Sequence, residues 1–465
     1  MNTTSVRTTD PLSWSVMGLY GLPVLVTGFM GSLMSLYLMK YATDVLLIPP
    51  AVLGTLFGLS RIWDAVTDPM VGYFSDRTRL RFGRRRSWIL AGVLPTAATF
   101  GMLFTYPDGL SATQAVVWMA VAVFGFYTSF TLVTVPHLSW GAELSADPHQ
   151  RSRLFGVRYG MITVGGMFAL LCVGWLTSLE SQGSSSLRSV ASAIAVTAGV
   201  VMAACYVTLV VRLKERSDGF RRPDRGFLVA GREVLANPHA RILLIVNFIE
   251  QVGAAAIGAS ALFVARYVMD RVEIAPYSII TYLVVSSLSV PLWVRLAGRY
   301  GKARVWLYSM AATAVTFGCM FTLAFVPVGL AQVVVLMVLS VIAGFFAGCG
   351  GALGPSLQSD VVDYDEYVTG ERKEGAYFAM WNFSQKSAGG VTLMVTGFVL
   401  SAAGFVPNAE QTRTVQIALA GLLGLFPLIC YTIGALVFTR FRLDARGHDE
   451  IRTALSARRQ HSVPG

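Results

Sequence analysis

Arg61-Ile-Trp-Asp-Ala-Val-Thr-Asp-Pro-Met-Val-Gly-Tyr-Phe-Ser-Asp-Arg77 is charged at its start and basic at its end, yet it lies in an apolar run covering 48–74. Arg61, Asp64, Thr67 and Asp68 recur at spacings of three and four, so a helix carries all four on one face. Two carboxylates one turn apart repel each other when both are ionised. A bound cation relieves that repulsion: Na⁺ takes oxygen ligands from the two carboxylates and a Thr hydroxyl, and a proton neutralises one carboxylate. The other reading of the same residues is an ion-paired helix, with Arg61 and Arg158 balancing the acids.

The surroundings of that stretch say why its charges matter. Hydrophobic residues make up 54% of the 465 residues and charged residues 14%, with mean hydropathy +0.59. A soluble domain carries nearer a quarter charged residues. The expected class is an all-α membrane protein with twelve transmembrane helices. The apolar runs cover 14–41, 48–74, 87–106, 112–142, 153–179, 188–212, 239–268, 275–298, 303–327, 331–364, 375–404 and 412–439. Residues 1–10 are polar and the first apolar run is too long for a signal-peptide core, so the first helix is expected to insert and stay. The five cysteines lie inside apolar runs, without metal or disulfide spacing. The loops offer no nucleophile with a base and are too short for a soluble domain, which argues against an enzyme or a receptor.

The net charge of +11 is a topology signal here rather than a nucleic-acid signal. Basic residues crowd the loops after runs two, six and eight and the tail, whereas Asp108 stands alone after run three. The positive-inside rule therefore places both termini in the cytoplasm of a multi-pass cell-membrane protein, expected in a bacterial inner membrane. The charged segment 213–238 divides an N-terminal six-helix bundle (1–212) from a C-terminal one (239–440), with a cytoplasmic tail at 441–465. Arg81-Phe-Gly-Arg-Arg-Arg-Ser-Trp88 after run two resembles Arg299-Tyr-Gly-Lys-Ala-Arg-Val-Trp306 after run eight. Parallel repeats of six helices are the mark of the major facilitator fold.

A charge at the bilayer centre costs about 2.5 kcal/mol or more, so each needs a reason. Beyond Arg61, Asp64 and Asp68, the charges singled out inside the apolar runs are Arg158, Glu250 and Lys386. Glu250 lies between Asn247 and Gln251 in a polar patch that either lines a substrate cavity or meets water at a helix end. Lys386 closes the polar stretch Trp381-Asn-Phe-Ser-Gln-Lys386, and its place inside run eleven favours a cavity over a snorkelling lysine.

At these residues the chain resembles the glycoside–pentoside–hexuronide:cation symporters. The resemblance rests on Asp64-Ala-Val-Thr-Asp-Pro-Met-Val-Gly-Tyr-Phe-Ser-Asp-Arg77 with Arg81-Phe-Gly-Arg-Arg-Arg86. It continues in Asp360-Val-Val-Asp-Tyr-Asp-Glu366 with Thr369-Gly-Glu-Arg372, and in Val135-Pro136 with Arg158 downstream. It implies that Asp64 and Asp68 bind the coupling Na⁺, Li⁺ or H⁺, with Thr67 and Thr131 as further ligands. It implies that Arg158 and Lys386 lie near the sugar and cation sites and that Asp76, Arg77, Asp363 and Arg372 form gate salt bridges. Read from the residues themselves, Thr134, Glu250 and Trp381 are further expected substrate contacts and Arg61 a further charge of the gate and salt-bridge set. No organic cofactor is implied, and the expected carrier is a monomer. The melibiose permease of that family grips its sugar with two more carboxylates, where Gly28 and Thr134 stand here. Without those acids, α-galactoside recognition as in that permease is not expected, and the cargo that the resemblance implies is a glycoside, hexuronide or related polar solute. The alternative is a lysolipid, since the sodium-dependent lysophosphatidylcholine symporters of animals resemble this family too.

Overall fold

The computed structural model describes residues 13–443 apart from 79, 81, 145–147, 183–185, 216–226 and 372, together with 447, 450, 451 and 453–455. Among them twelve long helical segments follow one another: α1 (Trp14–Asp44), α2 (Pro50–Arg77), α3 (Arg84–Phe104), α4 (Ala112–Glu143), α5 (Pro148–Ser181) and α6 (Leu187–Arg212), then α7 (Pro238–Tyr267), α8 (Ile274–Tyr300), α9 (Lys302–Ala324), α10 (Leu330–Thr369), α11 (Glu374–Ala402) and α12 (Arg413–Phe438). A short helix, Phe227–Ala236, precedes α7. Ten of the twelve are long and apolar enough to cross a membrane. The other two are α2 and α11, the helices loaded with Arg61, Asp64 and Asp68 and with Gln385 and Lys386. Charge lowers their hydropathy where the sequence places candidate site residues.

Local chemistry sets the boundaries. Pro50 opens α2 and Pro238 opens α7, where a missing N–H costs nothing. Asn237 caps α7 by accepting from His239 and Ala240 N–H. Ser111 and Gln114 form a reciprocal capping box on α4. Gly83 (φ 110°) and Gly301 (φ 88°) make the turns into α3 and α9 in the left-handed region, which a side chain disfavours.

Contacts divide the chain into two compact units. The first holds Met1–Arg222 with Gly397–Ala402 and Val406–Ala409, and the second holds the remainder. Each repeats one scheme of helix pairing. In the first unit α2 packs on α4, α3 on α4 and α6, and α1 on α6. In the second α8 packs on α10, α9 on α10 and α12, and α7 on α12. The α1–α5 pair has its counterpart in α7 and α11, where the Ser384 and Thr392 hydroxyls donate to Leu244 and Val252 carbonyls. The sequence repeat survives as an ion pair in each unit. Arg84 Nη2 lies 2.7 Å from Glu143 Oε1 between α3 and α4. Lys302 Nζ lies 2.7 Å from Asp360 Oδ1 between α9 and α10.

Candidate cation site and its surroundings

α2 places Asp64 and Asp68 one turn apart, and packing of α4 against α2 brings Thr131 between them. The Thr131 hydroxyl lies 2.8 Å from Asp64 Oδ1 and 3.1 Å from Asp68 Oδ1. Thr131 is fully buried and Asp64 nearly so, while Asp68 is half-buried. One hydroxyl carries one proton and satisfies one of its two acidic neighbours at a time. Three oxygens therefore converge where a hard cation or a further proton relieves the repulsion between the acids. Carboxylate and hydroxyl oxygens are the donor set that an alkali cation takes.

Thr67, expected on the same face, turns its hydroxyl back to the Asp64 carbonyl at 3.2 Å, so its proton serves its own helix. Thr134 donates likewise to the Phe130 carbonyl at 2.9 Å. Arg61 donates from Nη2 to Ser35 Oγ at 2.8 Å and lies over the Tyr127 ring, 4.9 Å from its centroid. Arg158 lies near Tyr20, His137 and Tyr206. Its Nε is buried without a hydrogen-bond partner. Tyr20 stacks on His137 at 4.2 Å, its carbonyl accepts from His137 Nε2 at 3.1 Å, and its hydroxyl donates to the His137 carbonyl at 3.1 Å, fastening α1 to α4.

Gly28 stands where the resemblance implies a sugar-gripping acid, and packing leaves that position no room for a side chain. A Cβ there would come within 2.7 Å of the Ile162 carbonyl. Here α1 and α5 touch backbone to backbone, with Gly165 facing Leu25 from the other side.

Glu250 in the second unit is half-buried beside Trp306, and Lys386 is half-buried on α11. Trp381, expected to touch the substrate, is mostly buried. It is 5% exposed, packs against Gly354 in the apolar core of the unit, and accepts from Asn247 through its carbonyl at 3.4 Å. The apolar area of a Trp ring is worth more in a core than on a cavity wall.

Of the expected gate residues, Arg77 lies over the Tyr73 ring at 3.5 Å and Asp363 is half-buried on α10. Arg372 and the Asp76 side chain lie outside the described residues. The arginines after Gly83 do more than carry charge. The N–H groups of Arg84, Arg85 and Arg86 donate to the Glu215 carboxylate at 2.8, 2.8 and 2.6 Å. Three arginines crowd the positive end of the α3 dipole, and Glu215 with Glu143 offsets them. Arg85 also donates to Ser75 Oγ at 2.7 Å, tying α2 to α3.

Lys40, Asp44 and Glu180 form a further charged cluster that the apolar runs did not announce. Lys40 Nζ pairs with Asp44 Oδ2 at 3.0 Å and with Glu180 Oε1 at 2.5 Å, all three nearly buried. Lys40 lies inside run one, but Asp44 and Glu180 fall just past the ends of runs one and five. The signal within reach was the i,i+4 pair Lys40 and Asp44 at the close of an apolar helix.

The family model described as MFS/sugar transport protein matches residues 19–445. The inner membrane symporter YicJ of Escherichia coli is 26% identical over 87% of this chain and 86% of its own. The isoprimeverose transporter of Lactiplantibacillus pentosus is 26% identical over 95% and 91%. Among solved structures the nucleoside transporter NupG superposes with a TM-score of 0.68 at 13% identity, covering 92% of this chain and all of that one, a likeness of fold.

Proposed function

Since the chain belongs to the MFS/sugar transport protein family, we propose that it is a cation-coupled symporter of a glycoside, hexuronide or related polar solute. It works by alternating access, sits in a membrane as a multi-pass protein, and keeps both termini in the cytoplasm. The observation that carries the coupling is the meeting of Thr131 with both Asp64 and Asp68. A site of this kind gains most when a cation arrives, so Na⁺ or H⁺ binding and the carrier's conformation are linked. Asp64, Asp68 and Thr131 hold the cation. Thr67, whose hydroxyl donates to the Asp64 carbonyl, is the further candidate ligand. Arg158, Thr134, Glu250 and Lys386 are the polar groups offered to the solute, and Arg61, Arg77 and Asp363 belong to the charged contacts that change between states.

The cargo reading is supported by the names of the relatives, which include a symporter and an isoprimeverose transporter. The test is uptake into proteoliposomes under an imposed Na⁺ or H⁺ gradient, with a glycoside panel set against lysophosphatidylcholine. Gradient-driven uptake of a glycoside, lost in Asp64→Asn and in Asp68→Asn, is the expected result. Uptake indifferent to both gradients, or unchanged in the two variants together, would overturn the coupling. Lysolipid uptake in place of glycoside would overturn the cargo alone.

A further inference from the structure

Arg61 lies one helical turn before Asp64, close enough for its guanidinium to swing onto the carboxylate and take the place of the coupling cation. The structure seats it elsewhere. Its Nη2 donates to Ser35 Oγ at 2.8 Å and its Cζ stands 4.9 Å from the centroid of the Tyr127 ring. Both partners come from neighbouring helices of the same unit. Tyr127 sits one turn before Thr131 on α4, the helix that supplies the bridging hydroxyl. Ser35 sits on α1 inside a π turn, Met34–Leu38. Such a turn widens the helix, shifts the register of the residues it contains, and recurs at functional positions in helices.

We propose that Ser35 and Tyr127 are positioning residues that set the cation affinity of the Asp64–Asp68 pair by holding Arg61 away from it. This rests on the cation-coupling function proposed above. The seat is one hydrogen bond and one cation–π contact, each comparable in strength with a single polar interaction. Loss of either is enough to tip the guanidinium toward Asp64. In that position its fixed charge competes with Na⁺ or H⁺ for the same carboxylates. The π turn gains a reason as well: it carries Ser35 to the Arg61 side of α1. The geometry makes affinity a property of α1 and α4, two helices that between them contribute only Thr131 to the site itself.

The test reads cation binding without a cargo. Purified protein in detergent is melted at rising Na⁺ at fixed pH, and at varied pH without Na⁺. The cation-dependent part is the part lost in Asp64→Asn, because a ligand that binds the folded state raises its melting temperature. Ser35→Ala and Tyr127→Leu are each expected to raise the half-saturating cation concentration about tenfold, as loss of one charge-assisted hydrogen bond would. Tyr127→Phe, which keeps the ring, is expected to stay at the wild-type value. The deciding readout is the double variant. In an Arg61→Gln background neither Ser35→Ala nor Tyr127→Leu should move the half-point, since the competitor is gone. Equal shifts with and without Arg61 would overturn the inference, as would an unshifted half-point in Ser35→Ala. A wild-type protein whose melting ignores both Na⁺ and pH would overturn the cation reading itself, a result distinct from either.

Discussion

Lys40 Nζ on α1 and Glu180 Oε1 on α5 stand 2.5 Å apart, and the same ammonium reaches Asp44 at 3.0 Å. The pair joins residues 140 positions apart in the chain. Removing the cation strands two carboxylates, so Lys40→Met is expected to destabilise the protein by about 3–5 kcal/mol, the usual cost of breaking a buried pair. Adding Glu180→Gln leaves one stranded acid and should recover part of that loss. Thermal unfolding in detergent measures both. A single variant as stable as the wild type would remove the cluster's structural role.

Glu215 replaces the missing hydrogen-bond acceptors at the start of α3. Glu215→Ala leaves the N–H groups of Arg84, Arg85 and Arg86 to water and is expected to cost about 1–2 kcal/mol, in the range of a strong helix cap. Hydrogen-exchange mass spectrometry should show faster exchange in the peptide that contains these amides. Unchanged exchange there would mean that Glu215 is not what protects them.

Gly28→Asp offers an acid where the melibiose permease has one, but the side chain has no room. Its Cβ would meet the Ile162 backbone at 2.7–2.9 Å, and neither backbone can give way cheaply. Loss of monodisperse protein is expected, rather than a gain of glycoside binding. A stable variant with new sugar affinity would show that α1 and α5 part more easily than their packing implies.

Trp381 is a packing residue by its burial. Trp381→Ala should cost about 3–5 kcal/mol through the cavity it leaves, whereas Trp381→Phe keeps most of the apolar contact and should keep transport near the wild-type level. A stable Trp381→Phe protein that has lost uptake with a raised KM would return Trp381 to the substrate.

The charged clusters show which contacts can be read from a chain and which cannot. The Arg84–Glu143 and Lys302–Asp360 pairs come halfway. The repeat around Gly83 and Gly301 marks the two basic residues, but nothing in it points to the acids on α4 and α10. Ser35 was silent, because a serine in an apolar run has no signature until a π turn presents it to Arg61. The burial of Trp381 was not legible, because a Trp beside polar residues looks the same in sequence whether its ring faces a cavity or a core.

What the sequence by itself determined is local. Apolar runs of membrane length, the loading of α2 with Arg61, Asp64 and Asp68, and the basic loops depend on residues within a few turns of one another, so composition and the 3.6-residue period disclose them. The tertiary structure decided which helices meet. Packing of α4 on α2 sets Thr131 between the two aspartates, and backbone contact of α1 with α5 leaves Gly28 no side chain to offer. The same α1–α5 contact brings Glu180 to Lys40. Such contacts join residues tens to more than a hundred positions apart, and their partners are chosen by the fit of whole helix faces, which no short window of sequence contains.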